Sequence, residues 1–327
     1  MNAELRWGIL ATGWIADLFV QDLQLAGHRV SAVGSRTQAG ADKFANRFSI
    51  PNAHASYQDL LSDPEVDIIY VATPHPMHAD NAVKALTAGK HVLIEKPFTI
   101  NAREARKVVD LASTKNLVVM EGMWTRFLPH MVRIREIIAS GVLGTIYSVI
   151  ADHTRDLPGD PNHRLNALEL GGGALLDLAI YPISFAFDVL GEPEHIVSMA
   201  RIKETGVDAE VATIFRHAGG AMSTTISSLD NTGRNVASIL GTEGRVEIAS
   251  TWYSPTSFRH IAKNDRVIEE YSSSVAGRGM QYEAAEMERL VTAGKLSGEI
   301  MPAKETVSIM QSLDTIRAQI GLRYPNE

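Results

Sequence analysis

Val92, Leu93 and Ile94 form an aliphatic run suited to a buried strand, and Glu95 and Lys96 then follow together, with Pro97 closing the run. Proline has no N–H to give a sheet ladder, so the strand ends where the two charges begin. Such charges either emerge into solvent or face a cleft. Further along, Gly171, Gly172 and Gly173 precede Asp177 and Tyr181, which are four apart, the spacing that puts two side chains on one face of a helix. A polar helix face with a half-buried ring is the plain alternative there. Near the start, "GILATGWIA" reads A-x-G-x-x-A over Ala11, Thr12, Gly13, Trp14, Ile15 and Ala16. Small residues where a strand turns into a helix let backbone N–H groups approach a pyrophosphate. The second strand ends in Ser35, Arg36 and Thr37, with no acid to take a ribose hydroxyl. A guanidinium fork suits a 2′-phosphate, so NADP(H) is expected over NAD(H), with NAD(H) use left open.

These residues need elements to hold them. Strands are expected at "RWGIL", "RVSAVGS", "VDIIYVATP", "KHVLIEKP" and "LVVMEGM", five in all, with helices over Ile15 to Leu25, Ala39 to Phe48, Met77 to Ala88 and Ala102 to Thr114. Gly89 closes the third of these helices and Asn101 caps the fourth. Strand–helix alternation implies a doubly wound parallel sheet, which binds ligands beyond the carboxyl ends of its strands. Glu95 and Lys96 stand at such an end.

After a boundary near Met123 to Pro129 the pattern changes. "GTIYSVIADHT" reads as a strand and "GGGALLDLAIYPISFAFDVLG" as a helix that Pro182 should kink. Short strands separated by turn signals ("HAGG", "DNTG", "GTEG", "KNDR") run from Ile196 to about Ser272 and imply a mostly antiparallel sheet. Two helices follow, Met280 to Ala293 and Lys304 to Ile320. The expected fold is α/β, with an N-terminal Rossmann domain over 1–123 and a C-terminal α/β domain with an open sheet over 124–327, its last helix able to pack back on the first domain. Few helices remain to cover the open sheet, so a homodimer or higher oligomer through that sheet is expected.

Composition limits the function. The chain has 327 residues, beyond the ~250–300 at which one core divides, so two domains are the default. A net charge of −7 argues against nucleic acid or an anionic membrane as partner. Without cysteine there is neither disulfide nor thiolate chemistry. No basic-then-apolar leader is recognisable and no apolar run approaching ~18 residues is read, so a soluble cytoplasmic protein is expected. No metal-ligand spacing such as H-E-x-x-H occurs, and no metal is expected.

Together "ATGWIA", "VATPHPMH", "EKPF", "EGMWTRF" and "GGGALLDLAIYP" resemble the glucose–fructose oxidoreductase, inositol dehydrogenase and rhizopine-catabolism superfamily over nearly the whole chain. "EGMWTRF" and the Tyr that closes the glycine motif look most like its dimeric dihydrodiol dehydrogenase and NADP-dependent D-xylose dehydrogenase branch. The resemblance implies that Lys96 reaches both nicotinamide and substrate hydroxyl. Glu95 and Pro97 are expected beside it among the cofactor-binding residues, and the resemblance puts Thr73, Pro74 and His75 near the nicotinamide ribose. His78 is either a cofactor contact or a helix cap. Trp124, Arg126 and Phe127 look like part of the substrate wall or hinge. His153, Arg155 and Asp156 end a strand and read equally as facing the same cleft, with His153 binding substrate, or as exposed loop charge. Relatives often have His where this chain has Tyr181, which argues against inositol-type substrates.

A hydride leaves carbon only as a proton leaves the neighbouring oxygen, so a base is needed at the carbinol. A Tyr with a pKa of ~10 is a poor base near neutral pH. An adjacent ammonium favours its phenolate, while crowding and desolvation ease loss of the Lys proton. Lys96 and Tyr181 are therefore expected to act as an acid–base pair, with Asp177 orienting Lys96 or a substrate hydroxyl. The reading is an NADP-dependent oxidoreductase acting on a secondary alcohol or hemiacetal carbon of a sugar or cyclic diol. Reduction of a 1,5-anhydrofructose-type ketose and a non-enzymatic NADP-sensing regulator are the alternatives. A cis Lys96–Pro97 bond is also expected, because the strand must stop abruptly while Lys96 turns inward.

Overall fold

A computed structural model describes residues 4–325. The chain forms two compact units: one runs up to Trp124 and takes back Ala276–Val307, and the other comprises Thr125–Val275 with the chain from Ser308 onward. The sequence reading gave all of 124–327 to the second domain.

The first unit contains β1 (Arg6–Leu10), α1 (Trp14–Leu25), β2 (Arg29–Gly34), α2 (Gln38–Phe48), β3 (Asn52–His54), α3 (Tyr57–Ser62), β4 (Ile68–Val71), α4 (His78–Thr87), β5 (His91–Glu95), α5 (Ala102–Lys115) and β6 (Val119–Gly122). The strands pair in parallel in the order β3-β2-β1-β4-β5-β6. Ile9, Leu10, Ile68 to Val71 and Val92 to Ile94 are fully buried, which is why the central strands read as apolar runs without alternation. Asn101 caps α5 by accepting the Glu104 N–H at 2.9 Å. The sheet has six strands, not five. β3 is only three residues, Asn-Ala-His, and exists because β2 pairs with it rather than through any pattern of its own.

The second unit contains α6 (Pro129–Ala139), β7 (Ile146–Thr154), α7 (Ile180–Leu190), β8 (Pro193–Ile202), β9 (Asp208–His217), β10 (Met222–Ser228), β11 (Ala237–Gly241), β12 (Gly244–Ile248), β13 (Ser257–Ala262) and β14 (Val267–Ser272). Its sheet runs β14-β13-β12-β11-β7-β10-β9-β8, antiparallel except where β10 lies parallel to β7. Val197, Ile214, Thr224 and Ile150 form one cross-strand row, and Met199, Ala212 and Ile226 the next. Val197 is 66% exposed and Met199 79%, so this face of the sheet is apolar and open.

The glycine-led helix is not uniform. Leu175–Ala179 forms a π turn that leads into α7. Pro182 lacks an N–H and its ring collides with the carbonyl four residues back, and a widened turn just ahead of it removes the clash. The expected kink therefore takes the form of a π turn. One expectation needs correcting here: Leu168–Leu190 is apolar and long enough to cross a membrane by composition, although 83% of its most apolar window is buried in the fold as a core segment.

Two helices close the chain, α8 (Gln281–Ala293) and α9 (Ala303–Ile320). Asp22 of α1 fastens α8 to the first unit. Its buried carboxylate accepts the N–H groups of Arg278, Gly279 and Met280 at 2.8–3.1 Å. Met280 is the N-cap of α8, and the other two donors belong to the turn that leads into it. Asp22→Ala should therefore lower unfolding free energy by about 3 kcal/mol, since it strands two buried donors and a part-buried one. Urea denaturation followed by circular dichroism measures this, and an unchanged midpoint would contradict it.

Candidate active site

In the first unit the site is assembled at the carboxyl ends of β1, β2, β4 and β5. Ala11 takes φ 97, a left-handed conformation in which the dinucleotide fingerprint has its first glycine. Its N–H donates to Gly34 O at 3.1 Å, which ties the loop to the end of β2. Gly13 then begins α1 with no side-chain cap, and a Cβ placed there would meet nothing within 4 Å. The first-turn N–H groups thus face open space, as an anion site requires. A cavity of about 280 Å³ is lined by Ala11, Thr12, Gly13, Ser35, Arg36 and Tyr57 together with Ala72, Pro74 and Met77. A lining that includes both an uncapped helix start and a guanidinium fits a phosphate-bearing dinucleotide. Tyr57, which the sequence reading missed, has its phenol pKa raised by burial and lowered in part by Arg36. Thr37 caps α2 by accepting the Gly40 N–H at 3.2 Å. Trp14 is 69% exposed and Ile15 half-buried.

The turn after β5 is held from several directions. Lys96–Pro97 is cis, as expected. Glu95 is buried, accepts the Tyr70 hydroxyl, and takes the Lys96 N–H at 3.1 Å. Burial pushes its pKa up, while Tyr70 and Lys96 pull it down. Glu121 of β6 accepts the Phe98 N–H at 3.0 Å. His78 lies between two carbonyls, Nδ1 2.9 Å from Pro97 O and Nε2 2.7 Å from Thr73 O, so it joins the turn to the end of β4. Burial holds its pKa below the ordinary value. Thr73 Oγ1 accepts the Asn81 side chain at 3.2 Å, and buried His75 meets the His78 ring edge-on at 5.7 Å. Lys96 itself is half-buried. Behind the turn, Glu283 of α8 is wholly buried. Its pKa stands well above the carboxylate range, through burial first and then the nearby Glu95, Asp22 and Glu121. Arg278 lies over Trp124 at 4.7 Å and over Trp14 at 5.5 Å.

The second unit brings Tyr181 and His153 together, their ring centroids 5.0 Å apart, while Tyr253 stacks on His153 at 3.7 Å. All three are buried. Tyr253, absent from the sequence reading, has its pKa pushed up to about 12, chiefly by burial, and remains a neutral phenol. Trp252 donates its indole N–H to Asp152 O at 2.6 Å and Thr125 donates to Tyr253 O at 2.7 Å, so the loop before β13 is fixed. Asp177 Oδ1 pairs with Arg164 at 3.2 Å, a partner that sequence spacing gave no reason to name. Buried Arg126 donates to Ser184 Oγ at 2.8 Å and to Ser184 O at 2.6 Å, which anchors α7, and Phe127 is buried. Arg155 and Asp156 are exposed.

Residues 5–123 match the oxidoreductase family with an NAD-binding Rossmann fold, GFO/IDH/MocA, and residues 131–247 match a GFO/IDH/MocA C-terminal domain. The chain is 34% identical to the trans-1,2-dihydrobenzene-1,2-diol dehydrogenase of Mus musculus, over 99% of each chain. It is also 34% identical to the D-xylose 1-dehydrogenase (NADP(+)) of Hypocrea jecorina, over 98% of this chain and 93% of that one. Among solved structures, a 3-ketoreductase from Actinomadura kijaniata in complex with NADP superposes with a TM-score of 0.86 at 24% identity, over 97% of this chain and 98% of that one.

Proposed function

The chain belongs to the GFO/IDH/MocA family of oxidoreductases with an NAD-binding Rossmann fold, and from that premise we propose an NADP-dependent enzyme. It moves a hydride between nicotinamide and a secondary alcohol or hemiacetal carbon of a sugar or cyclic diol. The observation that carries this reading is the first-unit cavity, whose lining joins Arg36 to the uncapped start of α1 and includes no Asp or Glu. Relatives named for a cyclic diol and for D-xylose support the substrate class, and the name of the second supports NADP.

The bound nicotinamide supplies the hydride acceptor or donor. The chain's own groups handle the proton. Lys96 and Tyr181 act as the acid–base pair: the lysine's charge favours phenolate, and the phenol takes or returns the carbinol proton. Asp177 orients the hydroxyl or Lys96. His153 and Tyr253, stacked beside Tyr181, offer an apolar ring face to a sugar or carbocycle. The turn that holds Lys96 is fixed by Glu95, Glu121 and His78, so the ammonium is preorganised.

The open face of the second unit's sheet supports assembly as a homodimer or higher oligomer, because exposed apolar patches of this kind mark interfaces. Light scattering should give a mass at least twice the 35.6 kDa of the chain, and Met199→Asp should lower it. A stable monomer at micromolar concentration would contradict this.

Arg36→Ala should raise the Michaelis constant for NADP about tenfold or more, the loss of ~1.5–3 kcal/mol expected for a hydrogen bond to a charged group, with NAD little affected. Equal use of both cofactors by the unaltered protein would count against the NADP preference. Lys96→Ala should lower turnover about 100- to 10,000-fold while NADPH still binds, the range expected for a lost acid–base group. Assays with NADPH absorbance over a panel of pentoses, hexoses and diols test this, and near-normal turnover would remove Lys96 from the chemistry.

A further inference from the structure

We propose that Asp208 is the positioning residue for the segment that bears Asp177 and Tyr181, a buried carboxyl that fixes where that helix begins. The proposal rests on the reading of Tyr181 as an acid–base group and extends it to a residue with no assigned role. Asp208 is the first residue of β9 and is fully buried. Its Oδ2 accepts the Leu175 N–H at 2.6 Å. That is an orphan donor at the start of the π turn, so Asp208 caps that turn from a distant strand.

The other carboxyl oxygen explains one of the three glycines. A Cβ on Gly173 would lie 2.0 Å from Asp208 Oδ1, and Gly173 adopts φ +118, so no side chain is tolerated between the helix start and the acid. Gly172 is enclosed in the same way, since a Cβ there would lie 2.6 Å from Leu165 O and 2.8 Å from Arg164 O. Its carbonyl accepts the Tyr324 hydroxyl at 2.8 Å, and the Gly173 N–H donates to Leu165 O at 2.9 Å. The glycine run is thereby clamped between the Arg164–Leu165 turn, Tyr324 and Asp208. Arg164, whose carbonyl closes one side of the clamp, also holds Asp177. Asp177 stands two residues beyond the capped Leu175 N–H and Tyr181 one turn further, so the cap sets the register of both. Burial raises the Asp208 pKa to about 7 even with the Leu175 donor, and a carboxyl is costly to keep in such a place unless its geometry is used.

Two variants separate geometry from charge. Asp208→Asn keeps an acceptor oxygen of the same reach, and Asp208→Ala removes it, with Asp208→Ser as a second truncation should the alanine protein not fold. Hydrogen–deuterium exchange over residues 171–181 is measured on NADP-loaded protein, alongside turnover of D-xylose and NADPH affinity. Truncation should speed exchange of that segment about tenfold and lower kcat about 100-fold, as a misplacement near 1 Å does, with NADPH affinity unchanged. Asparagine should restore both protection and turnover to within about threefold, a change worth under 1 kcal/mol. Unchanged exchange and kcat in both truncations, with Tyr181→Phe inactive, would overturn the positioning role and leave the acid–base reading standing. Loosened exchange on truncation, with Tyr181→Phe fully active, would support the cap and overturn the acid–base reading.

Discussion

A carboxyl taken out of water must find donors, and in this chain the donors it finds are backbone N–H groups at points where the chain changes direction. Asp22 gathers three at the start of α8, Glu121 takes that of Phe98, Glu95 that of Lys96, and Asp208 that of Leu175. Hydrophobic burial makes each unit compact, but it is non-directional and cannot by itself choose the angle at which a strand end or helix start presents its side chains. Short charge-assisted bonds can. Both segments to which chemistry is assigned, the turn at Lys96 and the helix start ahead of Tyr181, are held this way. Around Glu283 the same economy reaches its limit. Three more acids stand near it, and burial with like charge pushes the pKa of that carboxyl well above the carboxylate range.

Much of this was legible in residues alone. Apolar runs ended by Gly, Pro or charge reveal the parallel strands, because strands buried on both faces have no polar residues to blur them. The Asn101 cap and the cis Lys96–Pro97 turn were legible for a similar reason: each depends on residue types with few conformational options. The Ala11 position was the weak point of the phosphate loop, yet Ala11 adopts the positive φ that a glycine would have taken.

What escaped had no local signal. β3 is three polar or small residues recruited by a neighbouring strand. Tyr57 in the first unit, and Tyr253, Arg164 and Asp208 in the second, meet their neighbours only because each unit folds distant segments together. The three glycines were visible as a motif, but the cause of Gly172 lies in the Arg164–Leu165 turn and that of Gly173 in Asp208, neither of which spacing reveals. Arg126 shows the converse. Its place after the last Rossmann strand suggests the substrate wall or hinge, and spacing gives no hint that its guanidinium holds Ser184 of α7.

The central claim is that Lys96 and Tyr181 form one proton-handling unit rather than two independent aids to binding. Groups that act as a unit lose their effect together, so their contributions are not additive. A double-mutant cycle on single-turnover hydride transfer, with Lys96→Met and Tyr181→Phe apart and combined, measures this directly. The account predicts that the double variant is no slower than the slower single one, within about threefold. Losses that multiply across the two substitutions would contradict it.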